Sequence, residues 1–455
     1  MARSPKSRGS NHSRTRSKST DELAGYFLSL TLKNVRCFGP EEQTLDLSDG
    51  NGKPARWTVI LGVNGTGKTT LLQLLAGSMI ISFGFEGDEN VPGPRIFAQS
   101  NDPVIRRSQD SPADWTVTTC KSDSLLSIPA EVENSHCSIG AKSSSYDSES
   151  KGVDQLIWCC GYGATRRLGA PSLLEKVVDD PVRSLYSDRA ELRNPEEWLL
   201  QLDYSASKPS EIQAQLIERR ASITELLCKI LPEISEVRWT TPGERSVNPH
   251  IEFRTPYGWV PLRQLGYGYQ TMITWICDLA YRMVEKYPDS ESPLEEPAVV
   301  LVDEVDLHLH PKWQRELMHY LSARFTNTQF IVTAHSPLMA QGSEDLNLAV
   351  LRREGDHVVI DNDVDNIRNW RVDQILTSDL FGLPSARPKQ LDPLLERRKT
   401  LLSQSKLTAA DRRELKELEV KIGGLPFGET IDEIEERREI RETLDLLMRE
   451  RGLSR

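Results

Sequence analysis

Gly62-Val63-Asn64-Gly65-Thr66-Gly67-Lys68-Thr69 follows the apolar run Trp57-Thr58-Val59-Ile60-Leu61 and leads into Leu71, Leu72, Leu74 and Leu75. A strand, a glycine-rich loop and a helix in that order make a phosphate cradle, because loop N–H groups and the helix start converge on one anion. On this reading Gly62, Asn64, Gly65, Thr66 and Gly67 shape the cradle. Lys68 neutralises β/γ-phosphate charge, Thr69 ligates Mg²⁺, and Thr70 adjoins it in the first helical turn. The ligand these residues suit is a nucleoside triphosphate, ATP by default.

Two further segments carry chemistry. Val299-Val300-Leu301-Val302 ends in Asp303-Glu304, and a carboxylate at the end of a buried strand can reach Mg²⁺ while the next polarises an attacking water. Asp303 is therefore the expected metal ligand and Glu304 the expected general base. Phe330-Ile331-Val332-Thr333-Ala334 runs into His335-Ser336, and a strand-end histidine beside the phosphate strands can bond the γ-phosphate and sense its loss. His308 and His310 stand two apart without an evident third ligand, which favours packing or interface roles over a metal site. Leu265-Gly266-Tyr267-Gly268-Tyr269-Gln270 opens a helix, and its physical use would be to offer N–H groups to a γ-phosphate held by another protomer.

The elements that position these groups follow from the patterning. The 455 residues are 38% hydrophobic and 27% charged, as in a globular protein able to bury a large core. No apolar stretch reaches membrane-spanning length and no secretory-type apolar core opens the chain, so the cytoplasm is the default address. A net charge of −11 disfavours nucleic-acid binding by the whole surface. The seven cysteines lack CxxC spacing, and Cys159-Cys160 in an apolar run suggests buried thiols.

Residues 1–22 form a basic, Ser-rich tail, and 23–103 form the first part of a nucleotide-binding lobe. Within it, Leu28, Leu30 and Leu32 alternate as a strand and Leu45 and Leu47 mark another. Residues 104–150 are polar and are expected to be a surface insertion. Residues 151–260 complete the lobe, with helices from Pro195 and through Ile212–Leu227. Residues 261–362 carry the glycine segment, the acidic strand end and the histidine, in the βαβ order of a mostly parallel sheet. Asp361-Asn362-Asp363 closes a hairpin made of Val350–Arg353 and His357–Ile360. From 363 to 455 the chain is expected to be helical, with Thr408 capping a helix that presents Leu415, Leu418 and Ile422, and Thr430 capping a last one. This part suits partner contacts or oligomerisation.

The ordered set, from cradle through Leu265–Gly268 and Asp303-Glu304 to His335, resembles the ABC/SMC/RecF-type ATPase head. The segment Asp303-Glu304-Val305-Asp306-Leu307-His308-Leu309-His310-Pro311 is similar to that of the OLD/RecF-like AAA ATPases. The resemblance covers residues 28–350 and implies an α/β P-loop NTPase of the ABC-head type, with a mixed sheet, a surface insertion and a helical C-terminal extension. It further implies ATP and Mg²⁺ sandwiched between two copies, Lys68 of one facing Gly268 of the other, Glu304 as base and His335 as switch. Asn34-Val35-Arg36-Cys37-Phe38 matches an early segment whose basic residue, here Arg36, approaches the nucleotide. Three departures stand out. Gly266 replaces the usual serine, Tyr267 follows where small or acidic residues are usual, and Gln99 is the candidate for a glutamine loop.

The space between the cradle and Gly268 is too short for coiled-coil arms. At narrower range Gly161-Tyr162-Gly163-Ala164-Thr165-Arg166, Pro195-Glu196-Glu197-Trp198 and Ile375–Leu383 look like anti-phage ATPases of the Septu (PtuA) family, also found with some retrons; a PARIS-type ATPase would share most of them. That resemblance implies an oligomeric ATPase gating a separate HNH-type nuclease. The other reading is a RecF-like repair ATPase binding DNA itself, motivated by the basic tail and Arg166/Arg167.

Overall fold

The computed structural model describes residues 25–79, 113–121, 124–133, 136–139, 142–143, 158–170, 180–240, 249–342, 346–364, 370–378, 381–383, 385–402 and 408–423. Strands β1 (Gly25–Lys33) and β2 (Gln43–Asp46) pair antiparallel before the chain enters β3 (Trp57–Gly62), the glycine loop and helix α1 (Lys68–Met79). Strand β4 (Ala113–Lys121) then returns antiparallel to β1 and continues into β5 (Ser124–Glu133), β6 (His136–Ile139) and β7 (Lys142–Ser143).

The polar stretch read as a surface insertion supplies β4, on which Ala113, Trp115, Val117 and Thr119 are buried in strict alternation. Its polar residues form the other face of the strand, so mean polarity hid a period of two. On β1 the buried side is Phe27, Leu30 and Leu32, while Leu28 is half-buried. A register shift between Phe27 and Ser29 breaks the alternation, as an extra residue in one strand must.

Strand β8 (Cys159–Tyr162) leads to a short parallel pair, β9 (Arg167–Leu168) with β10 (Glu191–Leu192), and on to helix α2 (Pro195–Ser207). Asn194 caps α2 by accepting from Glu197 N at 3.2 Å, with Pro195 at the first helical position, where a missing N–H costs nothing. Helix α3 (Gln213–Ile230) follows, then the antiparallel sheet β11 (Glu236–Trp239), β12 (Ile251–Thr255) and β13 (Gly258–Pro261). Helix α4 (Tyr267–Lys286) is buried at every residue from Thr271 to Ala280, so it is enclosed rather than laid on a surface. Its one buried acid, Asp278, accepts from Tyr162 Oη at 3.0 Å, Arg282 Nε at 2.6 Å and Arg193 N at 3.2 Å. A buried carboxylate with these partners is tolerable where a bare one is not.

Strand β14 (Ala298–Val302), helix α5 (Pro311–Arg324) and strand β15 (Thr328–Ala334) make the βαβ unit read from the sequence. Strands β16 (Leu346–Glu354) and β17 (His357–Asp361) form the expected hairpin, turning at Gly355 with φ 61°. The central sheet has the order β17-β16-β3-β15-β14-β8, parallel throughout except for β17. Strands β3, β14 and β15 are buried at every residue, as strands covered on both faces must be. Trp57 stacks on Phe330 with ring centroids 4.3 Å apart.

The described residues up to 364 form one compact unit and those from Trp370 a second. The second contains α6 (Val372–Thr377), α7 (Asp392–Leu402) and α8 (Ala409–Gly423). Thr408 caps α8, accepting from Asp411 N at 3.2 Å while its own N–H and hydroxyl donate to the Asp411 carboxylate. Leu401 and Leu418 are buried, with Leu394, Leu395 and Leu415 packed around them. The basic tail, the helix expected after Thr430 and Gln99 lie outside the described residues. Among the described residues no helix is long and apolar enough to cross a membrane.

Candidate active site

The parallel strands β3, β15, β14 and β8 all end at one edge, where ligands of open α/β sheets bind. Strand β3 delivers the glycine loop. Gly65 and Gly67 hold φ of 78° and 85°, conformations that side-chain-bearing residues seldom adopt. Thr66 Oγ1 ties back to Val63 O at 2.8 Å. Cys37 and Phe38 press on Gly67 so closely that an added Cβ would lie 2.5 Å from Cys37 Sγ, which brings the Arg36 segment to the cradle. Arg36 itself donates to Thr70 Oγ1 at 3.2 Å and Gln73 Oε1 at 3.1 Å, both on α1.

Lys68 Nζ donates to Gly62 O at 2.7 Å and Val63 O at 3.1 Å, curled over its own loop. Burial lowers its pKa, opposed by the carboxylates of Asp303, Glu304 and Asp306. Asn64 and Gly65 are exposed, so the loop presents its backbone outward.

Strand β14 brings its acids to the same edge. Thr69 Oγ1 donates to Asp303 Oδ2 at 2.6 Å, and Thr333 Oγ1 donates to Asp303 Oδ1 at 2.5 Å. The ends of β14 and β15 and the first turn of α1 are thereby joined through one carboxylate. A hydroxyl beside a carboxylate is a donor set that Mg²⁺ takes at a phosphate cradle, so Thr69 and Asp303 fit that ion. Glu304 sits in the left-handed region at φ 48°, and its N–H donates to Thr333 Oγ1 at 2.7 Å. His335 Nε2 lies 3.5 Å from Glu304 Oε1, and both side chains are about one-third exposed. A partly open Glu–His pair beside a phosphate cradle can orient a water and exchange its proton.

Asp306 was noted in the sequence only for its spacing. Its Oδ2 accepts from His335 N at 3.0 Å and Ser336 N at 2.7 Å, which fixes the backbone that carries the histidine. Gln314 ties the same loop together, donating to Asp306 O and Leu309 O while accepting from Ser336 Oγ. Thr333, Gln314 and Ser336 are supports that motif reading did not single out. Their only signal was proximity to the acid and histidine landmarks.

Several expected residues take other places. His310 caps α5 through Nδ1, accepting from Lys312 N at 3.3 Å, and His308 packs its ring edge-on to Tyr267 with centroids 4.8 Å apart. His310 thus serves as a helix cap and His308 as a packing group. Gly268 lies against this loop, where a Cβ would come within 2.5 Å of His308 O, so a contact within the chain already requires glycine there. Asp361 pairs with Arg352 and caps Asp363 N, which accounts for that acidic pair as hairpin structure. Arg166, considered as a DNA contact, is only 2% exposed, and its Nη2 bonds the carbonyls of Asp303 and Glu304. Strand β8, flanking β14, continues into Gly163-Ala164-Thr165-Arg166 and brings no glutamine to the edge.

A family profile described as "AAA domain, putative AbiEii toxin, Type IV TA system" matches residues 167–340, and one described as "AAA domain" matches residues 29–80. Septu protein PtuA of Bacillus mycoides is 25% identical over 385 residues, covering 83% of this chain and 48% of that protein. The Retron Ec83 probable ATPase of Escherichia coli is 33% identical over 153 residues, 33% of this chain and 27% of that one. The chain is distantly related to Septu PtuA and retron ATPases. It spans about half or less of the length of these curated relatives. Among solved structures, the SMC head domain from Thermotoga maritima aligns with 74% of this chain and 98% of its own, at 15% identity and a TM-score of 0.39.

Proposed function

We propose that the chain binds and hydrolyses ATP with Mg²⁺ and acts as the regulatory ATPase of an anti-phage defence complex, gating a separate HNH-type nuclease. The observation that carries the hydrolytic half is the Asp303 carboxylate shared by Thr69 and Thr333, with Glu304 and His335 paired beside it. Thr69 and Asp303 would hold the ion, which would supply neutralisation of phosphate charge. Lys68 leaves its own loop carbonyls for the β- and γ-phosphates, the loop from Gly62 to Gly67 surrounds them with N–H groups, and Arg36 and Thr70 steady the helix start. Glu304 accepts the proton of the attacking water, and His335 bonds the γ-phosphate and registers its departure.

The site is half of a composite one. Val63 in the cradle and Tyr267 at the start of α4 are 50% and 59% exposed, apolar groups of the kind a second copy would cover. Tyr267 begins the helix whose first turn, through Gly268, would meet the partner copy's nucleotide. The defence role rests on the similarity to Septu PtuA, with the second unit of the chain as a contact surface for the nuclease. The RecF-like alternative loses Arg166 as a DNA contact, because that side chain is buried.

Phosphate release by the purified chain, with and without its neighbouring-gene nuclease, tests this. Glu304→Gln should lower turnover by about a hundredfold or more and leave ATP binding intact, and phage restriction should disappear with it. Unchanged release in Glu304→Gln would sink the assignment of the base. Restriction that survives both Lys68→Ala and Glu304→Gln would sink ATP gating.

A further inference from the structure

The segment from Gly161 to Arg166 is built to deliver its last residue. A Cβ on Gly161 would lie 2.4 Å from Leu185 Cδ1, and one on Gly163 only 2.0 Å from Ser184 O. Glycine alone lets the end of β8 press against the turn Arg183–Leu185. Ser184 Oγ fastens that contact, donating to Gly161 O at 2.8 Å and accepting from Gly163 N at 3.2 Å. Tyr162 between them is fully buried and anchored on Asp278. Arg166 then enters the left-handed region at φ 36° and turns beneath the end of β14.

There its Nη2 donates to Asp303 O at 2.9 Å and to Glu304 O at 2.5 Å. Its Nε and Nη1 are buried without a hydrogen-bond partner among the described residues. Burial pushes its pKa down to about 10 against the pull of Asp303, Asp306 and Glu304. A buried guanidinium with donors unmet and a strained backbone does not favour stability. What it does achieve is geometric. Glu304 is itself left-handed, its N–H held by Thr333 Oγ1 and its C=O held by Arg166. With both flanking peptide planes fixed, the Cα–Cβ bond from which its side chain leaves toward His335 is fixed as well.

We propose that Arg166 is a positioning residue for Glu304: by clamping the carbonyls of residues 303 and 304 it aims the carboxylate at the water that attacks the γ-phosphate. This rests on the hydrolytic reading above. It also assigns the glycine-tyrosine-glycine segment a role inside the site, rather than in contacts with DNA. Lysine at 166 would keep the charge and donors, but its freely rotating ammonium does not fix the N–H directions as the planar guanidinium fixes those of Nη2 on the two carbonyls.

The test uses the full chain and measures ATP affinity, kcat and melting temperature for wild type, Arg166→Ala, Arg166→Lys, Glu304→Gln and the Arg166→Ala/Glu304→Gln pair. Misaiming the base should lower kcat about a hundredfold in Arg166→Ala with ATP affinity within about threefold of wild type, and Lys should recover part of that loss. In the Glu304→Gln background, Arg166→Ala should lower kcat no further, because the two act through one carboxylate. An additive loss there, a Lys variant no better than Ala, or ATP affinity falling in step with kcat would overturn the proposal. If Arg166→Ala does not fold, Arg166→Lys decides alone: wild-type kcat in that variant overturns the positioning role. Wild-type protein without turnover would overturn the hydrolytic reading and this one together. Turnover that vanishes in Glu304→Gln but persists in Arg166→Ala would overturn this one only.

Discussion

Two strand ends in this molecule carry acids at similar spacing, Asp303-Glu304-Val305-Asp306 after β14 and Asp361-Asn362-Asp363 at the end of β17. In isolation either could be taken for a metal-binding or catalytic segment. Their neighbours make the difference. Strand β14 lies between β15 and β8 with both faces covered, and its end faces the hydroxyl of Thr69 on the glycine loop. Strand β17 is the antiparallel edge of the same sheet, and its acids meet Arg352 and the backbone of their own turn, while Asn362 bridges to Thr44 and Asp46 on β2. An acid at the end of a central parallel strand converges with other strand ends. An acid at the edge of the sheet finds only its hairpin partner.

Removing the matching carboxylates separates the two segments most clearly. Asp303→Ala should take phosphate release down by about a hundredfold or more, since it removes the proposed Mg²⁺ ligand and frees Thr69 and Thr333 together. Asp361→Ala and Asp363→Ala should leave release within about twofold, as surface changes away from the site do. Phosphate release at saturating ATP and Mg²⁺ reads all three. A loss in Asp363→Ala comparable with that in Asp303→Ala would mean that the second acidic segment acts on the nucleotide after all.

A finer test lies within the first segment. Asp306 touches no substrate-facing group but bonds two successive N–H groups that carry His335. Hydrogen bonds to a charged acceptor contribute about 1.5–3 kcal/mol each, so Asp306→Ala should destabilise the protein measurably and loosen the histidine. The expected kinetic effect is a fall in kcat of about tenfold, smaller than for Asp303, because the proposed Mg²⁺ ligands stay in place. Chemical denaturation and turnover of the same samples check both halves. Unaltered stability in Asp306→Ala would show that the two bonds do not organise the loop.

The glycine loop, the Asp303-Glu304 strand end and His335 were legible because each is a local sequence event: an apolar run followed at once by the functional group. The βαβ unit, the hairpin turn at Gly355 and the cap at Thr408 were legible for the same reason. What was hidden depends on partners far along the chain. Gln329 on β15 is 2% exposed, and its amide bonds both the N–H and the C=O of Phe27, 302 residues away. No window of sequence contains that pair. Trp115 and Val117 join the core only because β4 pairs with β1, and the bulge at Phe27–Ser29 moves Leu28 off the buried face. Arg166 read as a basic surface residue because local composition says nothing about the glycine contacts that carry it inward. Gly268 shows a milder form of the problem. Its glycine is explained within the chain by His308 O, so the residue type alone no longer argues for contact with a second copy.

The smallest predicted effect lies at the edge of the sheet. Arg352 and Asp361 pair across the hairpin, with side chains 36% and 20% exposed. At that exposure, solvent screening and the entropy of holding two long side chains offset most of the attraction, and such pairs contribute about 0–1 kcal/mol. Arg352→Ala should therefore shift the denaturation midpoint slightly or not at all, and should leave phosphate release unchanged. Raising the salt concentration should erase even that small difference, because a half-exposed pair is screened and a buried one is not. By contrast, the clamp of Arg166 on the carbonyls of residues 303 and 304 is buried, so its contribution to turnover should survive the same salt. A destabilisation of Arg352→Ala well above 1 kcal/mol that persists at high salt would mean that the edge hairpin is held by its charges as firmly as the catalytic turn, and position in the sheet would then no longer separate the two acidic segments.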